Sequence, residues 1–311
     1  MDALKRALLA ATLAGCAPPL TDDSARVDSP RLLATRAEPP EVAPGGTVRV
    51  TALVGAPTRT PAPTPAWSLC LARPALSDAS PVDEACRGDA PSARQPLGTH
   101  DAVELVVPTD ACARFGPDPP ADTQSAGRPA DPDSTGGYVI PLHVRLPDTD
   151  GFGTVRLRCN LAGVAREVAV DYAQRARPNT NPRITAWVQR TGETETPVGD
   201  RLVVAPGQRV TFRVAWPVCE DAPCEGAERY LLLDPITRTL VTRRESMRAS
   251  WYATDGRWDA PRTGRSPDET TPSTDNTWTA PSAPGSSRLW VALRDARGGT
   301  DWRELLVEAQ P

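Results

Sequence analysis

The chain has 311 residues, a formal net charge of −4, 39% hydrophobic residues and 35 prolines. That hydrophobic share excludes a disordered polymer, and the weak negative charge gives no electrostatic basis for binding nucleic acid. The prolines exclude long helices, because each removes a backbone donor and clashes with the preceding turn. A length near 300 residues suits two ordinary domains better than one.

At the N-terminus, Lys5-Arg6 precedes a short apolar stretch, residues 7–14, closed by Leu13-Ala14-Gly15-Cys16. The stretch is too short for a membrane-spanning helix, which needs roughly 20 residues. It fits the core of a cleavable secretory signal. The Leu-Ala-Gly-Cys run resembles the lipobox of bacterial lipoproteins. The resemblance implies a signal peptide over residues 1–15 and palmitate-type acyl chains on Cys16; an ordinary secretory signal that contains a cysteine is the alternative. Each buried methylene contributes about 0.8 kcal/mol, so two or three chains would hold the protein at a membrane almost permanently. Ala17, where aspartate would retain an enteric lipoprotein at the inner membrane, implies the outer membrane. Residues 16–30 read as the lipidated cysteine and a polar tether rich in proline, reaching on the order of 20 Å if flexible. Removing residues 1–15 takes away Asp2, Lys5 and Arg6, a net of one positive charge, so −4 becomes −5.

Beyond the tether, two landmarks occur once in each half of the chain. Residues 41–54 (EVAPGGTVRVTALV) match residues 203–216 (VVAPGQRVTFRVAW): Val-Ala-Pro-Gly, then an alternating apolar strand. Pro-Gly supplies a tight turn, and a period of two turns one face of the next strand inward. Residues 153–170 and 285–307 also match, through Gly-x-x-Arg-Leu and a later Arg-Glu, and read as a β-hairpin in each half. Further strands are predicted over 67–72, 102–107 and 138–146, then over 184–189, 230–233, 239–243, 249–253 and 276–279. Short strands between Pro/Gly turns predict an all-β protein of two tandem immunoglobulin-like β-sandwiches. The first covers residues 31–175 and the second residues 183–311, with the linker at 176–182 (ARPNTNP).

Six cysteines remain beyond Cys16, an even number that in an exported protein predicts disulfides, with 15 possible connectivities. The expected set is Cys70–Cys86, Cys112–Cys159 and Cys219–Cys224, which keeps every bridge inside one domain. No histidine stands near the last pair, which argues against a metal site there.

The second half resembles the immunoglobulin-like and polycystic-kidney-disease-like modules of bacterial surface proteins. SWYATDG (250–256), TWTAP (277–281) and LWVALRDARGG (289–299) carry the resemblance over about 130 residues. The lipobox, DPDSTGGY (131–138) and an Asn-Pro linker together resemble uncharacterised lipoproteins of myxobacteria, a likeness that brings no activity with it.

Catalytic chemistry finds little foothold. His100 sits in a Thr-His-Asp loop, and His143 alternates with Leu142 and Val144 so as to face outward from a strand. Neither stands in a recognisable nucleophile motif, and oxidised cysteines are not nucleophiles. No cofactor motif is present and no enzyme is expected. The acidic loop of Asp118, Asp122, Asp131 and Asp133 offers hard oxygen ligands for Ca²⁺, but lacks EF-hand spacing; a solvated loop of aspartate turns accounts for the same composition. Seven of the eight tryptophans lie in the second half. A sandwich core needs one or two, so Tyr252, Trp258 and Trp302 are candidates for an exposed platform that takes sugar rings or a partner protein; burial under the sandwich end is the competing reading. The expected function is a lipid-anchored envelope protein whose tandem sandwiches make structural or adhesive contacts. Its expected partners are the membrane, through the lipid, and an envelope protein or polysaccharide. A glycan-binding lipoprotein or an accessory polysaccharide hydrolase are the alternatives.

Overall fold

The computed structural model describes residues 23–72, 82–88, 90–115 and 134–311. Cys16 and the four aspartates of the acidic loop lie outside the described residues. The first sandwich contains β1 (Arg31–Glu38), β2 (Glu41–Val42), β3 (Thr47–Gly55), β4 (Ala66–Cys70), α1 (Glu84–Arg87), β5 (Arg94–Thr99), β6 (Ala102–Val106), α2 (Ala111–Phe115), β7 (Gly137–Arg145) and β8 (Asp150–Arg158). α3 (Arg166–Arg175) comes next in the chain. The second contains β9 (Ala186–Thr191), β10 (Thr194–Pro197), β11 (Arg201–Val204), β12 (Arg209–Ala215), β13 (Arg229–Leu233), β14 (Leu240–Arg244), β15 (Met247–Ala253), β16 (Arg257–Trp258), β17 (Arg262–Arg265), β18 (Ser273–Thr279), β19 (Gly285–Arg294) and β20 (Thr300–Ala309).

The two sandwiches repeat one topology. In the first, β1-β3-β6 faces β2-β8-β7-β4-β5; in the second, β10-β9-β12-β18-β16 faces β11-β20-β19-β15-β17. In each, a short strand after the opening strand crosses to the other sheet and runs parallel to the last strand: β2 with β8, β11 with β20. The Val-Ala-Pro-Gly landmark is this crossing. Its glycines, Gly45 and Gly207, hold φ of +81° and +71°, a region open to glycine. The alternation after it behaves as expected, with Val48 and Val50 inward on β3 and Val210, Phe212 and Val214 inward on β12.

The second landmark is corrected. Residues 285–307 form the β19–β20 hairpin, but residues 153–158 are the second strand of the β7–β8 hairpin, and residues 166–170 begin α3. Val168 and Tyr172 are four residues apart and therefore share a helix face, and that face packs with Leu161 against Leu231, Leu233 and Leu240 of the β13–β14 ribbon.

The three bridges pair as expected: Cys70–Cys86, Cys112–Cys159 and Cys219–Cys224, with Cα separations of 5.8, 5.7 and 5.9 Å. Trp67, Ile140, Leu142 and Leu157 lead the first core; Phe212, Trp251, Trp278 and Leu293 lead the second. Among the described residues no helix is long and apolar enough to cross a membrane.

Candidate functional site at the junction of the sandwiches

β19 carries five consecutive apolar residues, 289–293, where one buried face would need only alternate ones. Leu289, Val291 and Leu293 fill the second core, while Trp290 and Ala292 point away from it and are equally buried. What covers them is the first sandwich: Leu33, Ala34 and Leu53 of β1 and β3. Arg294 Nη2 donates to the Leu33 carbonyl at 2.7 Å, and Tyr252 Oη donates to the same carbonyl at 3.3 Å.

Beside this apolar contact lies a buried polar cluster built around Arg297, in the β19–β20 turn. Asp295 Oδ1 accepts from the Arg297 and Gly299 amides, at 2.9 and 2.8 Å. A side chain at Gly299 would collide with the Asp295 carboxylate, so the turn needs glycine there. The turn delivers the Arg297 guanidinium to Glu245 Oε1 at 2.8 Å, to Glu228 and to the Arg177 carbonyl at 3.1 Å, with Glu41 Oε2 at 3.7 Å and the Tyr230 ring 5.0 Å away. Glu41 comes from the first sandwich, as does Arg156, whose Nε lies 3.8 Å from Glu41 Oε1.

The 176–182 segment, read as the linker, is wedged between the units and bonded to both. Asn179 donates from its amide to Glu41 at 2.8 Å and from its side chain to Asp295 at 3.1 Å. Asn181 donates to the Ala37 carbonyl at 2.7 Å and to Glu38 at 3.0 Å, and accepts from the Thr300 amide at 2.8 Å. Asp301 completes the seam, accepting from Arg36 at 3.1 Å and from the Ile184 amide at 2.8 Å.

Four carboxyls, those of Glu41, Glu228, Glu245 and Asp295, thus face two guanidiniums. Burial, reinforced by Asp295, pushes the Glu245 carboxyl well above its ordinary value; burial also raises Glu228 and Asp295 against the pull of Arg297. Burial alone would lower Arg297, but the surrounding carboxylates outweigh it and hold the guanidinium charged. Glu245 Oε2 is buried with no partner, a position far less costly for a neutral carboxyl than for a carboxylate.

The aromatic platform is corrected by the same geometry. Trp258 is 5% exposed and sits inside the second core, its ring 4.8 Å from Trp251 and 5.8 Å from Phe212. Tyr252 and Trp302 are half-buried against the first sandwich. The three do not share an open face, because β16 folds Trp258 under the sheet while the junction takes the other two.

His143 is also corrected: it is buried, and the Phe152 ring lies tilted 5.2 Å from its own. Its Nε2 lies 3.1 Å from Asp150 Oδ2, yet burial outweighs that carboxylate and lowers the imidazole from 6.5. His100 is exposed, and its carbonyl accepts from Trp67 Nε1 at 2.7 Å. Among the described residues no set of three His, Cys, Asp or Glu is arranged to hold a metal ion.

The end of the tether is corrected too. Residues 23–30 dock on the second sandwich: the Val27 amide donates to the Ala253 carbonyl at 2.8 Å, and Val27 is fully buried. Arg31 donates to the Ser24 and Arg26 carbonyls at 2.8 and 3.0 Å and lies over the Tyr252 ring.

The signals for this junction were present but unspecific. The contiguous apolar run at 289–293 announces a strand covered on both faces. Nothing in the spacing of Glu41, Asn179, Glu228, Glu245 and Arg297 brings them together before folding.

No family model and no curated protein matches this chain. Among solved structures, similarity is found to a nucleoside hydrolase-related hypothetical protein from Saccharophagus degradans (13% identity, 46% of this chain and 30% of that chain, TM-score 0.22). The Yersinia pseudotuberculosis adhesin InvE is similar at 11% identity over 89% of this chain and 58% of that chain, TM-score 0.22. The C-terminal domain of the Streptococcus agalactiae AgI/II polypeptide BspA is similar at 9% identity over 90% of this chain and 99% of that chain, TM-score 0.26. This chain spans less than two thirds of the first two. At such scores the sheets themselves define the class: an all-β protein of two tandem immunoglobulin-like sandwiches.

Proposed function

We propose that this chain is a lipid-anchored protein of a bacterial envelope that holds its two sandwiches as one stiff body for structural or adhesive contact. The observation that carries the reading is the junction, where apolar packing and a buried charge cluster suppress the independent motion expected of domains on a linker. A stiff body transmits force and presents its surface with little ordering cost. Contact is favoured over catalysis because His143 is packed against Phe152 and the six described cysteines are closed in bridges. The Leu-Ala-Gly-Cys run at 13–16 supports the anchor. Residues 16–22 can span at most about 25 Å when extended, so an anchor at Cys16 would keep the docked 23–30 segment, and with it the β15 end of the second sandwich, close to the bilayer. Labelled palmitate should enter the protein and disappear with Cys16→Ser, which should also release it from the membrane fraction. Absence of label, or a Cys16→Ser protein that still fractionates with membranes, would refute the anchor.

A further inference from the structure

The aromatic route to a glycan is closed by burial, but a cationic one is open. The β13–β14 ribbon and residues 267–270 enclose a cleft of about 350 Å³ lined by Arg229, Arg243, Arg244, Thr242, Thr270 and Asp268. Arg229 stands directly across the ladder from Arg244, and Arg243 is next in sequence. Like charges directly opposite on neighbouring strands are destabilising. Several other arginines of this sandwich are matched: Arg213 and Arg190 share Asp275, Arg209 meets Asp259, and Arg265 lies 3.6 Å from Glu269. Arg229, Arg243 and Arg244 have no described carboxylate within 4.0 Å. In a chain of net charge −4, three arginines lining one concavity against a single carboxylate, Asp268, form a local positive centre.

We infer that this cleft binds the carboxylate of an acidic polysaccharide, a polymer of uronic-acid type. A guanidinium fork matches a carboxylate bidentately, and the hydroxyls of Thr242 and Thr270 provide neutral partners for sugar hydroxyls. Asp268 decides between anions: a carboxylate in the lining accepts hydrogen bonds from sugar hydroxyls and repels a dianionic phosphate or a densely sulfated chain more strongly than a single carboxylate. The inference deepens the adhesive reading and rests on it for its biological setting, while the chemistry of the cleft is independent of the lipid.

The test uses the chain from residue 16 onward carrying Cys16→Ser, titrated calorimetrically with oligogalacturonate, dextran sulfate and neutral dextran. Oligogalacturonate should bind with an affinity that falls as salt rises, and neutral dextran should not bind. Arg243→Gln with Arg244→Gln should weaken oligogalacturonate by about tenfold or more at an unchanged melting temperature. Arg229→Gln, at an exposed position, serves if the double variant fails to fold. Asp268→Asn should move preference toward dextran sulfate. No binding of oligogalacturonate at millimolar concentration, undiminished binding by the arginine variants, or tighter binding of dextran sulfate by the unmodified cleft would each overturn the inference. Any of these together with intact palmitate labelling overturns the ligand and leaves the anchored scaffold standing.

Discussion

Replacing Arg297 with methionine tests the junction most directly. The substitution keeps volume and apolar stem but removes the one guanidinium that Glu228, Glu245 and Glu41 share, and leaves the Arg177 carbonyl without its donor. Removing one partner of a buried ion pair typically costs about 3–5 kcal/mol, because the remaining charge is uncompensated. Here part of that cost is relieved by proton uptake, since Glu245, Glu228 and Asp295 are already raised by burial. A tenfold gain in proton affinity at any of these carboxyls offsets about 1.4 kcal/mol. At about 2–4 °C per kcal/mol for chains of this order of size, the melting temperature should fall by roughly 10 °C near pH 8. The sign with pH follows from linkage. Carboxyls whose folded value exceeds their unfolded one bind more protons in the folded state, so their contribution to stability falls as pH rises from the ordinary 3.8–4.5 through the raised values. The Arg297→Met deficit should therefore be larger at pH 8 than at pH 5. Scanning calorimetry should also show the single transition of the parent splitting into two, one per sandwich. A drop below about 2 °C, or a deficit independent of pH, would refute the assignment of the cluster as the lock.

Trp258→Ala should cost about 3–5 kcal/mol in denaturant unfolding, as a buried core aromatic does; a neutral outcome would return Trp258 to the surface. Val27→Asp should undock residues 23–30 and expose Arg26 and Arg31 to trypsin, read as cleavage that the parent resists; equal resistance would mean the segment does not rest on the second sandwich. His143 should titrate below 6.5 by NMR, because burial disfavours its charged form more than Asp150 favours it. Its lowered value contributes stability that is full above 6.5 and is lost as pH falls toward the folded value. A His143 midpoint at or above 6.5 would show the ring to be solvated.

Much of the architecture was legible along the chain because it rests on local rules. The period-two alternation after each Pro-Gly turn placed β3 and β12, and the domain-wise pairing of cysteines matched all three bridges. Residues 166–170 misled, because a short apolar run is compatible with a strand or one face of a helix until its packing partner is known; here the β13–β14 ribbon chose the helix. The alternation around His143 sets it opposite Leu142 and Val144, but its own side is buried as well, beside Phe152. The docked tether and the hidden aromatics share that cause: exposure is a property of neighbours.

Sequence by itself therefore determined the strand after each Pro-Gly turn, the landmark that opens each half and the even set of bridging cysteines, since each is read from local pattern or composition. Tertiary structure alone decided which outer faces are covered, and that decision removed the aromatic platform and built the junction. Charges as far apart along the chain as Glu41 and Arg297 meet only after both sandwiches have formed, and no periodicity encodes that meeting. Packing across the seam turns two modules on a linker into one body.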